Sequence, residues 1–217
     1  MTVSRVQHPL FIKICGLTDP LTAFECTRAG AMAVGLVFFE KSPRYVSFDT
    51  GAAICSALPE ETLKTGVFVD ENFESIMATV QTCGLSAVQL HGQEPPELVT
   101  RLQQENLMVI KALFAAKAPF LSRVSEYDHA NFLLIEYGTG ILPGGNAESW
   151  DYHISKGIHT TAPVILAGGL NPENIAGVIQ KVGPFGVDVS SGVESSPGVK
   201  DLDKIRGFIK NARAPGA

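Results

Sequence analysis

Eight short, apolar, β-rich runs recur along this chain, each followed by a stretch of helical period or composition. The runs are 11–15 (FIKIC), 32–38 (MAVGLVF), 65–69 (TGVFV), 86–90 (SAVQL), 108–113 (MVIKAL), 131–136 (NFLLIE), 163–167 (PVILA) and 186–189 (GVDV). The stretches between them are 19–30, 49–58, 72–82, 95–105, a weak one at 117–126, then 149–158, 171–181 and 201–212. Helix starts are signalled by Asp49, by Pro95-Pro96 and by Asn171-Pro172-Glu173. Strands that alternate with helices pair in parallel, because each helical crossover returns the chain to the same sheet end. No linker, low-complexity tract or repeat divides the sequence, so residues 1–217 are expected to form one α/β domain. Eight β-then-α units close most simply into a (β/α)8 TIM barrel. With 217 residues against a usual length of about 250, its loops must be short. An open doubly wound sheet is the alternative, but it needs fewer strands, and no G-x-G-x-x-G follows the first one.

The charge pattern narrows the choice of partner. A net charge of −5, with basic residues dispersed, argues against a nucleic-acid partner. No segment reaches the roughly 18 apolar residues of a membrane span, and the N-terminus lacks a signal-peptide apolar stretch. A cytoplasmic location is expected, with no membrane partner. The four cysteines (Cys15, Cys26, Cys55, Cys83) form no C-x-x-C pair, so neither a disulfide framework nor a metal site is expected. A small anion could still bind locally, since backbone N–H groups need no net charge to hold one.

In a barrel of this kind function collects where the strands end at their C-terminal side. The polar residues of the sequence fall there: Cys15-Gly16, Gln89 and His91-Gly92, Glu136, Gly168-Gly169 and Ser190-Ser191-Gly192. Period-2 alternation puts Gln89 with His91 on one face, Glu136 with Leu134, and Asp188 with Ser190. Lys13 and Lys111 would also face inward, where Glu136 and Asp188 could neutralise them. A lone buried charge costs several kcal/mol, so such balance is required whatever else these groups do. Lys13, two residues before Cys15, would favour the thiolate.

Two stretches have the form of phosphate cradles. ILAGGLNPEN (165–174) runs from strand through Gly168-Gly169 to a helix start, and VDVSSGVE (187–194) runs from strand through Ser190-Ser191-Gly192 to a short helix. Glycines admit an anion close to the backbone, and a helix start offers unused N–H donors. Both follow the last two strands, the usual place for phosphate in such barrels. Arg44, after the Ser42-Pro43 turn, suits bidentate carboxylate recognition or is a plain surface arginine.

The segments KICGLT, GLVFFEKSPRYVS, GVFVDE, VQLHGQE, ILAGGLNPENI and GVDVSSGVESSPGVKD together resemble the phosphoribosylanthranilate isomerase family of tryptophan biosynthesis. The resemblance runs from about residue 11 to the C-terminus. It implies a single (β/α)8 barrel, monomer or homodimer, that uses no metal or cofactor. The implied reaction is the Amadori rearrangement of a phosphorylated small molecule, N-(5-phosphoribosyl)anthranilate, into an aminoketose. It also implies Cys15 as general base and the carboxyl group ending strand six as general acid. Here that group is Glu136, where the family pattern has aspartate. Arg44, Gln89, His91 and Asp188 would bind substrate, and Gly168, Gly169, Ser190, Ser191 and Gly192 would bind its phosphate. The stretch 144–152, GGNAESWDY, departs from the family's GGTGKTFDW at Ala147 and Glu148. Two other readings are an isomerase of a related aminoaldose phosphate and a non-catalytic barrel that binds a phosphorylated ligand.

Overall fold

The computed structural model describes residues 9–138 and 150–214. The strands are β1 (Phe11–Cys15), β2 (Ala33–Val37), β3 (Leu63–Phe68), β4 (Ala87–Leu90), β5 (Met108–Phe114), β6 (Phe132–Glu136), β7 (Val164–Leu166) and β8 (Gly186–Val189). All eight pair in parallel and in sequence order, and β8 pairs back onto β1 with Ile14 opposite Val189. This closes the barrel and excludes the open sheet. Helices α1 (Pro20–Ala29), α2 (Phe48–Ala57), α3 (Phe73–Cys83), α4 (Pro96–Gln104), α5 (Ile175–Val182) and α6 (Leu202–Ala212) lie outside it.

Local chemistry explains the boundaries. Asp19 caps α1 by accepting from Thr22 N at 2.8 Å, and Asn72 caps α3 by accepting from Ser75 N at 2.9 Å. Helix α2 is capped by Ser47 rather than opened by Asp49, which sits in its first turn, where the dipole favours an anion. Pro95-Pro96 opens α4 as the sequence suggests. Asn171 makes a turn, its Oδ1 accepting from Glu173 N and Asn174 N, and α5 starts only at Ile175.

Two expected helices shrink to single 3-10 segments, at Leu121–Glu126 and Tyr152–Gly157. Pro119 removes a backbone donor and restrains the residue before it, so regular turns begin late in the first. Gly157 ends the second, which is opened by Asp151 accepting from His153 N. A short antiparallel hairpin, β9 (Glu194–Ser196) with β10 (Val199–Lys200), follows β8 and was not expected from the eightfold pattern.

Apart from Lys13, Lys64, Thr65, Gln89, Lys111, Glu136 and Asp188, the barrel-strand residues are apolar on both faces. Outward residues such as Ile12, Ile14, Val34, Leu36, Val88 and Val109 pack beneath the helices against Ile54, Ile76 and Leu102. The interior is filled by Phe11, Ala33, Ile110, Ala112, Phe114, Phe132, Leu134, Ile165 and Ala167. This corrects the expectation for Lys111. Ile110 and Ala112 face the barrel interior, so Lys111 lies on the outer face of β5, beneath the Tyr127 ring at 5.5 Å. Its partner is Glu94, at 2.7 Å, and not Glu136 or Asp188. A run apolar on both faces carries no alternation from which to choose the side, which is why the sequence misplaced it.

The Lys111–Glu94 pair is fully hydrogen-bonded by backbone. Lys111 donates to Gly92 O at 2.6 Å, while Glu94 accepts from Gly92 N and, at 2.9 Å, from Asp70 N. Those bonds offset the desolvation of two buried charges and hold the chain on the C-terminal side of His91.

Candidate active site

At the C-terminal end of the barrel one pocket gathers the eleven residues to which the resemblance gives catalytic, substrate-binding or phosphate-binding roles. Cys15, Glu136, Arg44, Gln89, His91 and Asp188 line it, as do Gly168, Gly169, Ser190, Ser191 and Gly192. Lys13 lies just below and is paired with Asp188 at 3.0 Å, both buried. The stretch 139–149, with Ala147 and Glu148, is outside the described residues.

Cys15 ends β1, opposite Gly35 of β2. A side chain on Gly35 would place its Cβ 2.6 Å from the Cys15 sulfur, so this glycine makes room for the thiol. Burial pushes the thiol pKa up, Lys13 and Lys200 pull it down, and Asp188 opposes them. The balance leaves it above the ordinary thiol range. Lys13 therefore offsets part of the burial penalty without producing a resting thiolate, because burial is the larger effect and Asp188 adds to it.

Glu136 ends β6. Burial raises its carboxyl to about 7, although Lys117 and Lys13 work against it, and Asp188 adds to the rise. At neutral pH a large share of it carries a proton. His91 is 3.9 Å away, Nε2 to Oε2. Burial first, then Lys111, Lys13 and Lys117, lower the imidazole to about 3, so it is neutral. Its Nδ1 lies 2.9 Å from the Gln89 amide nitrogen. With the amide as donor there, Nε2 carries the hydrogen, and it has no partner among the described residues. Gln89 Oε1 is likewise unpaired. Two buried polar atoms left unsatisfied beside a carboxyl group suit a ligand with hydroxyl groups.

Arg44 is buried at 8% exposure, which rules out the surface-arginine reading. Its Nε and Nη2 donate to Glu194 at 2.8 and 2.7 Å. The sequence reading missed Glu194, Lys200 and Lys117. Glu194 lies 150 residues from Arg44 along the chain, and nothing local to either announces the pair.

The two glycine turns adjoin. Gly168 and Gly169 both take positive φ, 83° and 66°, and Trp150 Nε1 and Tyr152 OH brace this turn through Ala167 O and Gly168 O at 3.0 and 2.7 Å. Gly192 runs so close to the Leu170 carbonyl that a Cβ there would collide with its oxygen, leaving no space for a side chain. Gly192→Ala is therefore expected to force the turns apart. Binding of inorganic phosphate and of phosphorylated ligands should weaken by at least tenfold alike. Titration calorimetry checks this, and unchanged phosphate affinity would remove the turns from the site.

The fold and pocket define the class: a (β/α)8 barrel built as an enzyme, with its ionisable groups gathered at the C-terminal end of the strands. Among the described residues no group of three or more His, Cys, Asp or Glu could hold a metal ion. Residues 12–211 match the family model described as N-(5'phosphoribosyl)anthranilate (PRA) isomerase. The N-(5'-phosphoribosyl)anthranilate isomerase of Desulfatibacillum aliphaticivorans is 49% identical over 205 residues, spanning 94% of each chain. The crystal structure of the enzyme from Thermotoga maritima superposes with a TM-score of 0.83 at 39% identity, covering 94% of this chain and 99% of that one. A crystal structure in complex with reduced 1-(o-carboxyphenylamino)-1-deoxyribulose 5-phosphate gives a TM-score of 0.81 at 38% identity, with the same coverage. The chain belongs to the N-(5'-phosphoribosyl)anthranilate isomerase family.

Proposed function

We propose that this chain converts N-(5-phosphoribosyl)anthranilate to 1-(2-carboxyphenylamino)-1-deoxyribulose 5-phosphate in tryptophan biosynthesis, with Glu136 as acid and Cys15 as base. The carrying observation is the pair itself: a carboxyl group raised to about 7 and a thiol lining one pocket at the ends of strands β6 and β1. Glu136 gives its proton to the furanose ring oxygen as the bond from that oxygen to C1 breaks. The amine nitrogen supplies the electron pair and becomes an iminium. The Cys15 thiolate then removes the C2 proton, and the C2–H electrons neutralise the nitrogen, giving an enolamine. Cys15 returns its proton to C1 and Glu136 takes up the C2 hydroxyl proton, which yields the aminoketose and restores both groups. Hydrogen has moved from C2 to C1 with no net oxidation, so the balance needs no redox partner.

The glycine turns after β7 and β8 take the phosphate. Gln89 and His91 offer Oε1 and Nε2–H to the sugar hydroxyls, and Asp188 keeps Lys13 in place beneath the thiol. The N–H groups of Arg44 not used by Glu194 meet the anthranilate carboxylate. Arg44→Ala should weaken the reduced product by at least tenfold and leave ribose 5-phosphate within threefold. Equal losses in calorimetry would give Arg44 another role. The whole reading is tested by complementing a tryptophan auxotroph that lacks this step, alongside turnover by the purified protein. No growth and no turnover from folded protein would overturn it. A cytoplasmic monomer or homodimer is the matching expectation, checked by fractionation and sedimentation. No helix among the described residues is long and apolar enough to cross a membrane.

A further inference from the structure

The hairpin β9–β10 adds nothing to the barrel ladder, yet it reaches both glycine turn and arginine. Glu194, at its start, takes the Arg44 guanidinium in a two-pronged grip, Nε to Oε1 at 2.8 Å and Nη2 to Oε2 at 2.7 Å. Lys200, at its end, donates to Glu194 Oε1 at 2.7 Å and to Ser190 O at 3.0 Å and Oγ at 3.3 Å. The hairpin is tied down from three sides. Lys204 donates to Glu194 O at 2.7 Å, Thr18 donates to Gly198 O at 3.2 Å, and Gly198 runs so close to the Pro43 carbonyl, next to Arg44, that a side chain there would clash with it.

The charges in this cluster do not cancel. Two basic side chains, Arg44 and Lys200, meet the single carboxylate of Glu194, with side chains 10%, 1% and 4% exposed; burial lowers the Lys200 pKa and Glu194 works against that. A buried cluster left one negative charge short is stabilised by an anion arriving from outside. Glu194 also decides where that anion must sit. By occupying one edge of the guanidinium fork it turns the remaining N–H groups, those of Nη1 above all, in a fixed direction.

We infer that Glu194, held by Lys200 against Ser190, is a positioning residue that sets selectivity for a carboxylate-bearing aryl group, fixing Arg44 at a set place relative to the phosphate turn. The inference rests on Arg44 reading that carboxylate. It goes further in locating selectivity in a residue that touches no substrate. Without Glu194 the guanidinium would keep its charge and lose its direction.

The test compares two ligands that share the sugar phosphate. One is reduced 1-(o-carboxyphenylamino)-1-deoxyribulose 5-phosphate, and the other is the same compound without the carboxyl group. Their ratio of dissociation constants cancels any effect on phosphate binding or on overall fold. In Glu194→Gln the preference for the carboxylated ligand should fall at least tenfold. A purely electrostatic role predicts the opposite, since removing the anion leaves the pocket more positive. A preference that rises, or falls less than threefold, overturns the inference.

Glu194→Asp retains the charge and guards against misfolding of the glutamine variant, but is one methylene too short for the same grip. It should also lose at least fivefold of the preference, and recovery of the parent ratio would show that charge alone suffices, overturning the inference as well. Arg44→Ala separates the two levels. An unchanged ratio there defeats the reading of Arg44 itself. A collapsed ratio there beside a parent-like ratio in Glu194→Gln defeats only the positioning role.

Discussion

Cys15→Ser protein should lose turnover by about 10³-fold or more, while the dissociation constant for reduced product stays within tenfold of the parent. The size follows from the base it removes. Positioned general acid–base groups contribute roughly 10²–10⁴-fold, and a serine hydroxyl cannot ionise usefully in a buried site. Binding should survive because serine is slightly smaller and the space above Gly35 accepts it. Cys26, Cys55 and Cys83 are internal controls. Burial raises the first two to about 12 and about 11, and they sit in the layer between strands and helices. Serine at any of them should cost stability and leave kcat of folded protein within threefold. Single-turnover kinetics on the four variants decide the matter, and near-parent kcat in Cys15→Ser would remove the thiol from the chemistry.

What the sequence revealed and what it hid divide along physical lines. Strand and helix order were legible because apolar periodicity and caps are local signals, as with Asp19 or Pro95-Pro96. Barrel closure followed from counting them. The pocket was legible because, in a parallel barrel, every strand ends on the same side, so residues such as Cys15, His91 and Glu136 must converge. Partners were not legible. Strand alternation offers Lys111 only Glu136 or Asp188, whereas its partner Glu94 lies on a loop behind the sheet. Glu194 and Lys200 are not legible because they act through Arg44, which lies 150 residues from Glu194 along the chain. The same blindness applies to net pKa. Lys13 beside Cys15 suggested a thiolate, but burial and Asp188, both tertiary facts, tip the balance the other way.

Glu136→Gln is expected to cut kcat by at least 10²-fold and to change the shape of the pH profile, and the second effect identifies the residue. The working state needs Glu136 protonated and Cys15 ionised, although Glu136, near 7, is the stronger acid and the thiol lies above the ordinary value of about 8.5. That state carries one proton shared between the pair. It becomes populated as the first proton leaves, near pH 7, and disappears as the second leaves, above the thiol range. The parent kcat/KM should therefore rise through about 7, stay level, and fall only at high pH. Glutamine removes the first ionisation, so the remaining activity should rise through the thiol pKa alone. Glu136→Asp keeps the carboxyl group and should stay within tenfold of the parent. Asp128 and Asp151 are engaged elsewhere, Asp128 accepting from Thr160 Oγ1 at 2.6 Å and Asp151 capping the 3-10 turn after it, while Asp188 in the pocket is paired with Lys13 at 3.0 Å.

Stability supplies an independent reading of the same group. A folded pKa of about 7 against an ordinary 4.5 means that the native state binds the extra proton between those values. The resulting stabilisation is complete below about pH 4.5 and is lost as pH rises through 7, a swing on the order of 3 kcal/mol. Glutamine has no such titration, so its melting temperature relative to the parent should climb from pH 5 to pH 8. A flat difference, or a glutamine variant with parent-like turnover at pH 7, would take the acid role away from Glu136.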